Sequence, residues 1–133
     1  MAWCITLAAA ALVVLPTQSM TLSWLHTVEK TTWEEDYAAS AAGVTITEAR
    51  IEAFGAGMEA PASAVRDGRW WRYRPSVARM SVGLANSAFG GGYTICWNST
   101  CRPLASIVAP GEPVSITSSP CADAGATSPA GLR

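Results

Sequence analysis

Apolar and polar residues alternate over short stretches of this chain, and glycine, proline or asparagine separates most of the stretches. A period of two residues is typical of β-strands with one buried face, and no long stretch shows the 3.6-residue period of an amphipathic helix. The predicted strands after residue 19 are Met20–Glu29, Trp33–Ala39, Val44–Phe54, Arg69–Arg74, Arg79–Ala85, Gly92–Trp97, Arg102–Ile107 and Pro113–Thr117. This pattern predicts an all-β fold, either a small antiparallel β-sandwich or a partly open barrel of roughly eight to ten short strands.

The apolar start of the chain, residues 1–19, has two interpretations. It has the length of a signal-peptide core, but no Lys or Arg precedes the apolar residues. Alternatively, Trp3–Leu7 and Ala11–Leu15 form a β-hairpin that ends at Pro16. The pattern favours the hairpin.

Residues 1–121 are predicted to form a single β domain. The segment Ala62–Gly68 is predicted to hold one helical turn within it. Residues 122–133 are rich in Ala, Gly, Ser and Pro, cannot bury much apolar area, and are predicted to be a disordered tail.

Composition limits the function. Half of the 133 residues are apolar, 14% are charged and the net charge is −1. Nucleic-acid binding needs a basic surface, so this balance argues against it. The glycine-rich stretches "FGAGME" and "FGGGY" lack the Gly-Lys-Ser/Thr signature of a phosphate-binding loop, and no cofactor is expected.

The four cysteines predict two disulfides. Cys96 and Cys101 flank the polar turn "WNST" and would close a hairpin, and Cys4 and Cys121 would join the two ends. A zinc site would need a second pair at finger spacing. The alternative is four reduced thiols in a cytosolic protein.

The chain's single histidine is predicted to face two carboxylates. A two-residue loop at Lys30-Thr31 would place His26 opposite Glu35, and a turn at Ser40-Ala41 would place Trp33 opposite Glu48. His26, Glu35 and Glu48 would then share the inner face of a three-strand meander.

Aromatic residues surround this predicted polar cluster. Trp24, Trp33 and Tyr37 fall on the same face by alternation. The alternation breaks after Glu48, which predicts a β-bulge near Ala49-Arg50.

Three interpretations of the cluster remain open. The first is a satisfied structural network that Arg50 or a tyrosine completes. The second is a ligand pocket. The third is catalysis, with Glu35 or His26 as general base or with a metal bound by His26, Glu35 and Glu48. No nucleophile stands out, so no catalytic residue is assigned.

The stretch "RWWRYR", Arg69–Arg74, interleaves arginine with aromatic residues. Its alternation predicts an edge strand with arginines stacked on the rings. Because the rest of the chain is not basic, a nucleic-acid platform is disfavoured.

Three motifs carry a family resemblance. "TLSWLHTVEKTTWEEDY", "TEARIEAFGAGMEAP" and "DGRWWRYRP" resemble the DUF1850 family of small bacterial proteins, and the resemblance extends over residues 4–121. Members are typically encoded near, and sometimes fused to, permeases of TAXI-type TRAP transporters. The resemblance therefore implies a role beside solute uptake, outside the cytoplasmic membrane.

We expect from this an extracytoplasmic, periplasmic accessory or ligand-sensing module that is not an enzyme. Its expected partner is a TRAP permease or solute-binding protein, and any membrane association would pass through that partner. The positions expected to matter are His26, Glu29, Glu35, Glu48 and Gly57, with Glu29 taken from the family motif alone. The alternatives are a small metal-assisted hydrolase using His26, Glu35 and Glu48, or a purely structural domain. Without an export route the protein would be cytoplasmic.

Overall fold

The computed structural model describes residues 2–9, 12–25, 30–52, 61–84, 92–109 and 111–121. These residues form short strands and one 3-10 helix, Leu104–Ser106. The strands are β1 (Trp3–Ala8), β2 (Leu12–Val14), β3 (Ser19–Leu25), β4 (Thr32–Ser40), β5 (Gly43–Ile51), β6 (Val65–Asp67), β7 (Trp70–Tyr73), β8 (Val77–Arg79), β9 (Val82–Leu84), β10 (Thr94–Trp97), β11 (Thr100–Pro103) and β12 (Val114–Pro120).

The strands form two antiparallel sheets. The small sheet has the order β2-β1-β12-β9, and the large sheet has the order β11-β10-β3-β4-β5-β7-β6, with β8 also paired to β5. Neither sheet closes on itself within the described ranges. The predicted all-β class is therefore confirmed, and the architecture is a sandwich rather than a closed barrel.

The two sheets bury apolar side chains against each other. Each of the central core residues is at most 1% exposed, and they come from both sheets: Ile5, Leu7, Val114 and Ile116 from the small one, and Leu22, Tyr37, Val44 and Ile95 from the large one. Full burial of one such aliphatic side chain stabilises by about 1.5–3 kcal/mol. Burial of this shared layer therefore fixes which face of each strand turns inward.

The N-terminal apolar stretch contributes two strands to the small sheet. β1 pairs with β2 and, on its other side, with β12, from Trp3 opposite Pro120 to Ala8 opposite Ser115. Both predicted disulfides are confirmed: Cys4 is bonded to Cys121, and Cys96 is bonded to Cys101. The tail predicted for residues 122–133 lies outside the described residues.

One short strand that was not predicted, β6, changes the edge of the large sheet. Val65–Asp67 is β6 rather than a helical turn, and it pairs with β7 through a turn at Gly68. β7 therefore lies between β5 and β6, so the edge-strand prediction for Arg69–Arg74 is wrong. A three-residue strand contains too little alternation to be recognised from sequence.

The predicted register between β3 and β4 is wrong. Glu35 lies opposite Leu22, and Trp33 lies opposite Trp24. The separation between the end of β3 at Leu25 and the start of β4 at Thr32 is six residues instead of the predicted two. It preserves the predicted parity, so the inner faces of both strands contain the expected residues, but the partners differ.

A β-bulge in β5 corrects the prediction for Glu48. Ile46 pairs with Tyr37, but Glu48 pairs with Asp36, which leaves Thr47 as the extra residue. The bulge thus precedes the predicted position near Ala49-Arg50. It turns Ala49 inward at 2% exposure and Glu48 to the outer face, so Glu48 does not share a face with Glu35.

Gly43 is expected to be intolerant of a side chain. Its φ is +124°, and a Cβ atom there would collide with the Arg79 carbonyl oxygen and lie 3.1 Å from the Met80 Cα. Gly43→Ala should therefore lower the free energy of unfolding by on the order of 3 kcal/mol, measured by urea denaturation.

Gly83→Ala is the matched control, because a Cβ at Gly83 meets no atom within 4 Å. It should change the free energy of unfolding by less than about 1 kcal/mol. Equal losses in the two variants would contradict the assigned β5–β8 contact.

The two disulfides should contribute unequally to stability. Cys4–Cys121 joins residues 117 apart, and Cys96–Cys101 joins residues 5 apart. By loop entropy the first should stabilise by about 5 kcal/mol and the second by about 2 kcal/mol. Urea denaturation of the two double-alanine variants should show this order, and a larger loss from the hairpin pair would argue against it.

Candidate functional site

Within the described strands, Glu35 is the carboxylate that lies on the inner face of the large sheet. Trp33, Glu35 and Tyr37 alternate along the inner face of β4, and Glu35 lies between Leu22 on β3 and Ala49 on β5. The Tyr37 hydroxyl donates a hydrogen bond of 2.7 Å to Glu35 Oε1. The backbone thus holds an acidic group where the sheet otherwise presents apolar side chains.

Aromatic rings bound this carboxylate. The ring centroids of Trp24 and Trp33 are 5.9 Å apart, and those of Trp24 and Tyr93 are 5.6 Å apart in an edge-to-face arrangement. Tyr73 lies opposite Ala49 on the next strand. We call this group the Glu35 site; it consists of Glu35, Tyr37, Trp24, Trp33, Tyr73 and Tyr93.

The tyrosines of the Glu35 site are held in their protonated form. Burial raises the pKa of Tyr37, and its hydrogen bond to Glu35 raises the pKa further. Burial and then the Glu35 charge also raise the pKa values of Tyr73 and Tyr93. These phenols therefore serve as neutral hydrogen-bonding groups rather than bases near neutral pH.

The outer face of the same strands contains an ion cluster around Arg50. Arg50 binds Asp36 through two hydrogen bonds of 2.8 Å, binds Glu34 at 3.0 Å, and also contacts Glu48. Thr21 donates a 2.7 Å hydrogen bond to Asp36. We call Arg50, Glu34, Asp36 and Glu48 the Arg50 cluster.

Charge pairing determines protonation in the Arg50 cluster. Burial alone would raise the pKa of Asp36, but hydrogen bonds from Arg50 and Thr21 and the charge of Arg50 lower it overall. The hydrogen bond to Asp36 raises the pKa of Arg50, against the opposing effect of burial. The cluster is thus a hydrogen-bonded ionic network on a face that is partly open to water.

Two concavities flank the Arg50 cluster. One of about 400 Å³ is lined by polar groups that include Asp36, Thr47 and Asn98. The other, of about 310 Å³, is lined partly by Glu48 and Arg72. Because Arg50 already pairs with Asp36 and Glu48, neither concavity offers a carboxylate without a cationic partner.

The structure brings together only part of the predicted site. Trp24, Trp33 and Glu35 lie together on the inner face as predicted, whereas Glu48 belongs to the outer face. The predictions for His26, Glu29 and Gly57 lie outside the described residues.

The metal-assisted hydrolase alternative requires Glu35 and Glu48 to bind the same metal ion. Glu35 and Glu48 point to opposite sides of the sheet and cannot share one metal ion. In the part of the chain that the structure describes, no group of three His, Cys, Asp or Glu side chains could hold a metal ion.

Sequence reasoning missed two tyrosines of the Glu35 site. Tyr73 belongs to the stretch "RWWRYR", but only the β5–β7 pairing brings it beside Ala49. Tyr93 precedes β10 and reaches the site through the β3–β10 pairing. Both depend on long-range register that the local pattern does not encode.

A family profile covers the strands that hold both groups. The profile described as "Domain of unknown function (DUF1850)" matches residues 20–104. The match includes the Glu35 site and the Arg50 cluster and leaves out β1, β2 and β12. No curated protein and no solved structure matches the chain. Among the described residues, no helix is long and apolar enough to cross a membrane.

The Arg50 cluster should make stability depend on pH through Asp36. A carboxylate whose pKa is lower in the folded state contributes stability above its unfolded pKa and loses it as the pH falls through the folded value. Asp36→Asn should therefore cost about 1–2 kcal/mol at pH 7, and the difference from wild type should shrink as the pH falls below 3.8. Urea denaturation at a series of pH values measures this.

Asp67→Asn is the control, because Asp67 is 63% exposed and lies 3.5 Å from Arg72. It should cost less than about 1 kcal/mol at pH 7. A loss for Asp36→Asn that stays constant down to acidic pH would contradict the assigned charge pairing.

Proposed function

The chain belongs to the DUF1850 family, and from this membership and the geometry above we propose that it is a non-enzymatic, extracytoplasmic accessory or ligand-sensing module of a solute transporter. The partner we propose is a TAXI-type TRAP permease or its solute-binding protein, as the family resemblance implies. The Glu35 site is the part of the module that receives a cationic group of the ligand or partner.

The cysteines support the proposed compartment. All four are paired, and the two bonds hold the ends of the chain and one hairpin. Disulfides form and persist in oxidising compartments and are rare in the bacterial cytoplasm. This pairing is consistent with a protein that works outside the cytoplasmic membrane.

The position of Glu35 is the observation that carries the proposal. Glu35 is a half-buried carboxylate among aromatic rings, and a ligand or partner that covered it would have to supply a charge, because moving an ionised carboxylate fully out of water costs several kcal/mol unless it is paired and hydrogen-bonded. Tyr37 supplies one neutral hydrogen bond, and no described Lys or Arg forms an ion pair with Glu35. A cation from a ligand or partner would supply the missing charge.

The aromatic rings fit the same interpretation. A cation beside Glu35 would also meet the faces or edges of Trp24, Trp33 and Tyr93, and cation–π contacts add about 0.5–2 kcal/mol. An ammonium or a basic side chain satisfies both features. A carboxylate solute would be repelled by Glu35, so the site suits an amine or a basic partner residue better than an anionic transported solute.

The chemistry of the site supports binding rather than catalysis. Its tyrosines have raised pKa values and remain protonated. The second carboxylate of the hydrolase hypothesis lies on the other face of the sheet. General acid–base catalysis by two carboxylates requires both groups to reach the same bond of one bound substrate.

Co-purification tests the proposal. The tagged full chain, co-expressed with a TAXI-type TRAP permease from the same organism, should retain that permease in detergent. Glu35→Gln preserves the size of the side chain and its ability to accept the Tyr37 hydrogen bond, but removes the charge. The recovered permease should fall at least tenfold, because loss of one partner of a desolvated charge pair costs about 2–5 kcal/mol.

Glu34→Gln is the matched control, since it makes the same change one residue away on the opposite face. It should retain the permease at the wild-type level, and both variants should be compared at equal thermal stability. Equal recovery with Glu35→Gln and wild type would reject the Glu35 site. A wild-type chain that never retains the permease would reject the accessory function.

A further inference from the structure

The β6–β7 hairpin ends in a cationic and aromatic tip. Its strands pair Arg66 with Trp71 and Asp67 with Trp70, and the turn consists of Gly68 and Arg69. Gly68 has a φ of +61°, which the tight two-residue turn requires. The hairpin forms one end of the large sheet in the described strand order.

An arginine lies over each tryptophan of the tip. Arg66 Cζ is 5.3 Å from the centroid of Trp71, and Arg69 Cζ is 4.9 Å from that of Trp70. Successive residues of a strand point to opposite faces. Each face of the hairpin therefore contains one half-buried indole ring with a guanidinium above it.

The hairpin contains a large share of the positive charge of the chain. The whole chain has 9 Lys and Arg residues and a net charge of −1. Residues 65–74 include Arg66, Arg69, Arg72 and Arg74 but only one acid, Asp67. The protein as a whole is therefore not attracted to anionic surfaces, whereas this segment is.

These arginines are accessible. The side chains of Arg69, Arg72 and Arg74 are 69%, 42% and 80% exposed, and Arg66 is also exposed. Arg69 lies 3.4 Å from Glu52, and Arg74 lies 3.9 Å from Glu48. The two arginines are largely exposed, although Glu52 and Glu48 are only 23% and 19% exposed, and at these long distances the pairs are weak, so the guanidinium groups can exchange them for phosphate oxygens.

We propose that the tip of the β6–β7 hairpin docks on the anionic headgroup surface of a phospholipid bilayer. Guanidinium groups bind phosphate in a bidentate manner, and tryptophan favours the headgroup level of a membrane. Val65, which is 57% exposed, adds apolar area on the same hairpin.

A bilayer fits the tip better than an acidic protein does. A headgroup layer surrounds an inserted hairpin tip on both faces and offers both phosphate and apolar contacts. The tip correspondingly presents arginine and tryptophan on both faces. An acidic protein docked on one face would leave the other pair unused. The inference rests on the hairpin alone and does not require the proposed transporter partner.

Vesicle co-sedimentation of the full chain tests the inference. Wild type should sediment with vesicles of equal parts phosphatidylglycerol and phosphatidylcholine at low salt, and raising the ionic strength should release it. Arg66→Gln with Arg69→Gln should lower the partition coefficient roughly thirtyfold, since each basic residue near an anionic surface contributes roughly five- to sixfold.

Arg79→Gln with Arg102→Gln is the matched control, because it removes the same charge from β8 and β11. It should remain within about threefold of wild type, and equal melting temperatures should confirm that both double variants are folded. The inference is overturned if the wild-type protein does not bind the anionic vesicles, or if it binds vesicles of pure phosphatidylcholine equally well. It is also overturned if the Arg66→Gln, Arg69→Gln variant binds the anionic vesicles as well as wild type does.

Two further outcomes are distinguishable. Binding to immobilised polyglutamate but not to anionic vesicles would assign the tip to an acidic protein instead and overturn the membrane inference. Co-purification with the permease takes place in detergent, without a bilayer. Failure of the co-purification would therefore not affect the vesicle result, and failure of vesicle binding would not affect the co-purification result.

Discussion

The β-bulge at Thr47 is the constraint on which the arrangement of charges in the large sheet depends. Before it, Val44 faces the core, and after it, Ala49 and Ile51 do so. The extra residue changes the parity of β5, which places Glu48 and Arg50 outside. Without it, the apolar end of β5 would face water, and the cost of exposing Ile51 alone would exceed about 1.5 kcal/mol.

Parity also separates two adjacent acids into different environments. Glu34 joins Arg50 on the outer face, where an ionic network and water accommodate its charge. Glu35 lies on the inner face with Tyr37 and aromatic rings. The same residue type is thus a structural ion-pair partner at one position and a candidate binding group at the next. Substituting Glu34 or Glu35 by Gln therefore removes the same charge from opposite faces of one strand, so the two variants can be compared directly.

The candidate sites and the covalent closure of the chain ends lie on different sheets. The family match covers the large sheet, where the Glu35 site, the Arg50 cluster and the β6–β7 hairpin all lie. The small sheet covers part of its inner face with Ile5, Leu7 and Ile116 and is closed by the Cys4–Cys121 bond. The covalently closed small sheet thus packs on one side of the strands that hold the Glu35 site and the Arg50 cluster.

The amino-acid sequence alone predicted the strand class, the Cys96–Cys101 bond and the inner position of Trp24, Trp33 and Glu35, because alternation and close cysteine spacing are local properties. The Cys4–Cys121 bond joins residues 117 apart, and it was predicted by pairing the two cysteines that remained of an even number. The sequence did not determine which residues lie opposite each other: the partner of Glu35 is Leu22, and Glu48 lies on the other face. Register and the position of the bulge depend on how many apolar side chains two distant sheets can bury together. These contacts between the sheets exist only in the folded chain, and they favour the register and bulge position that bury Ala49 and Ile51.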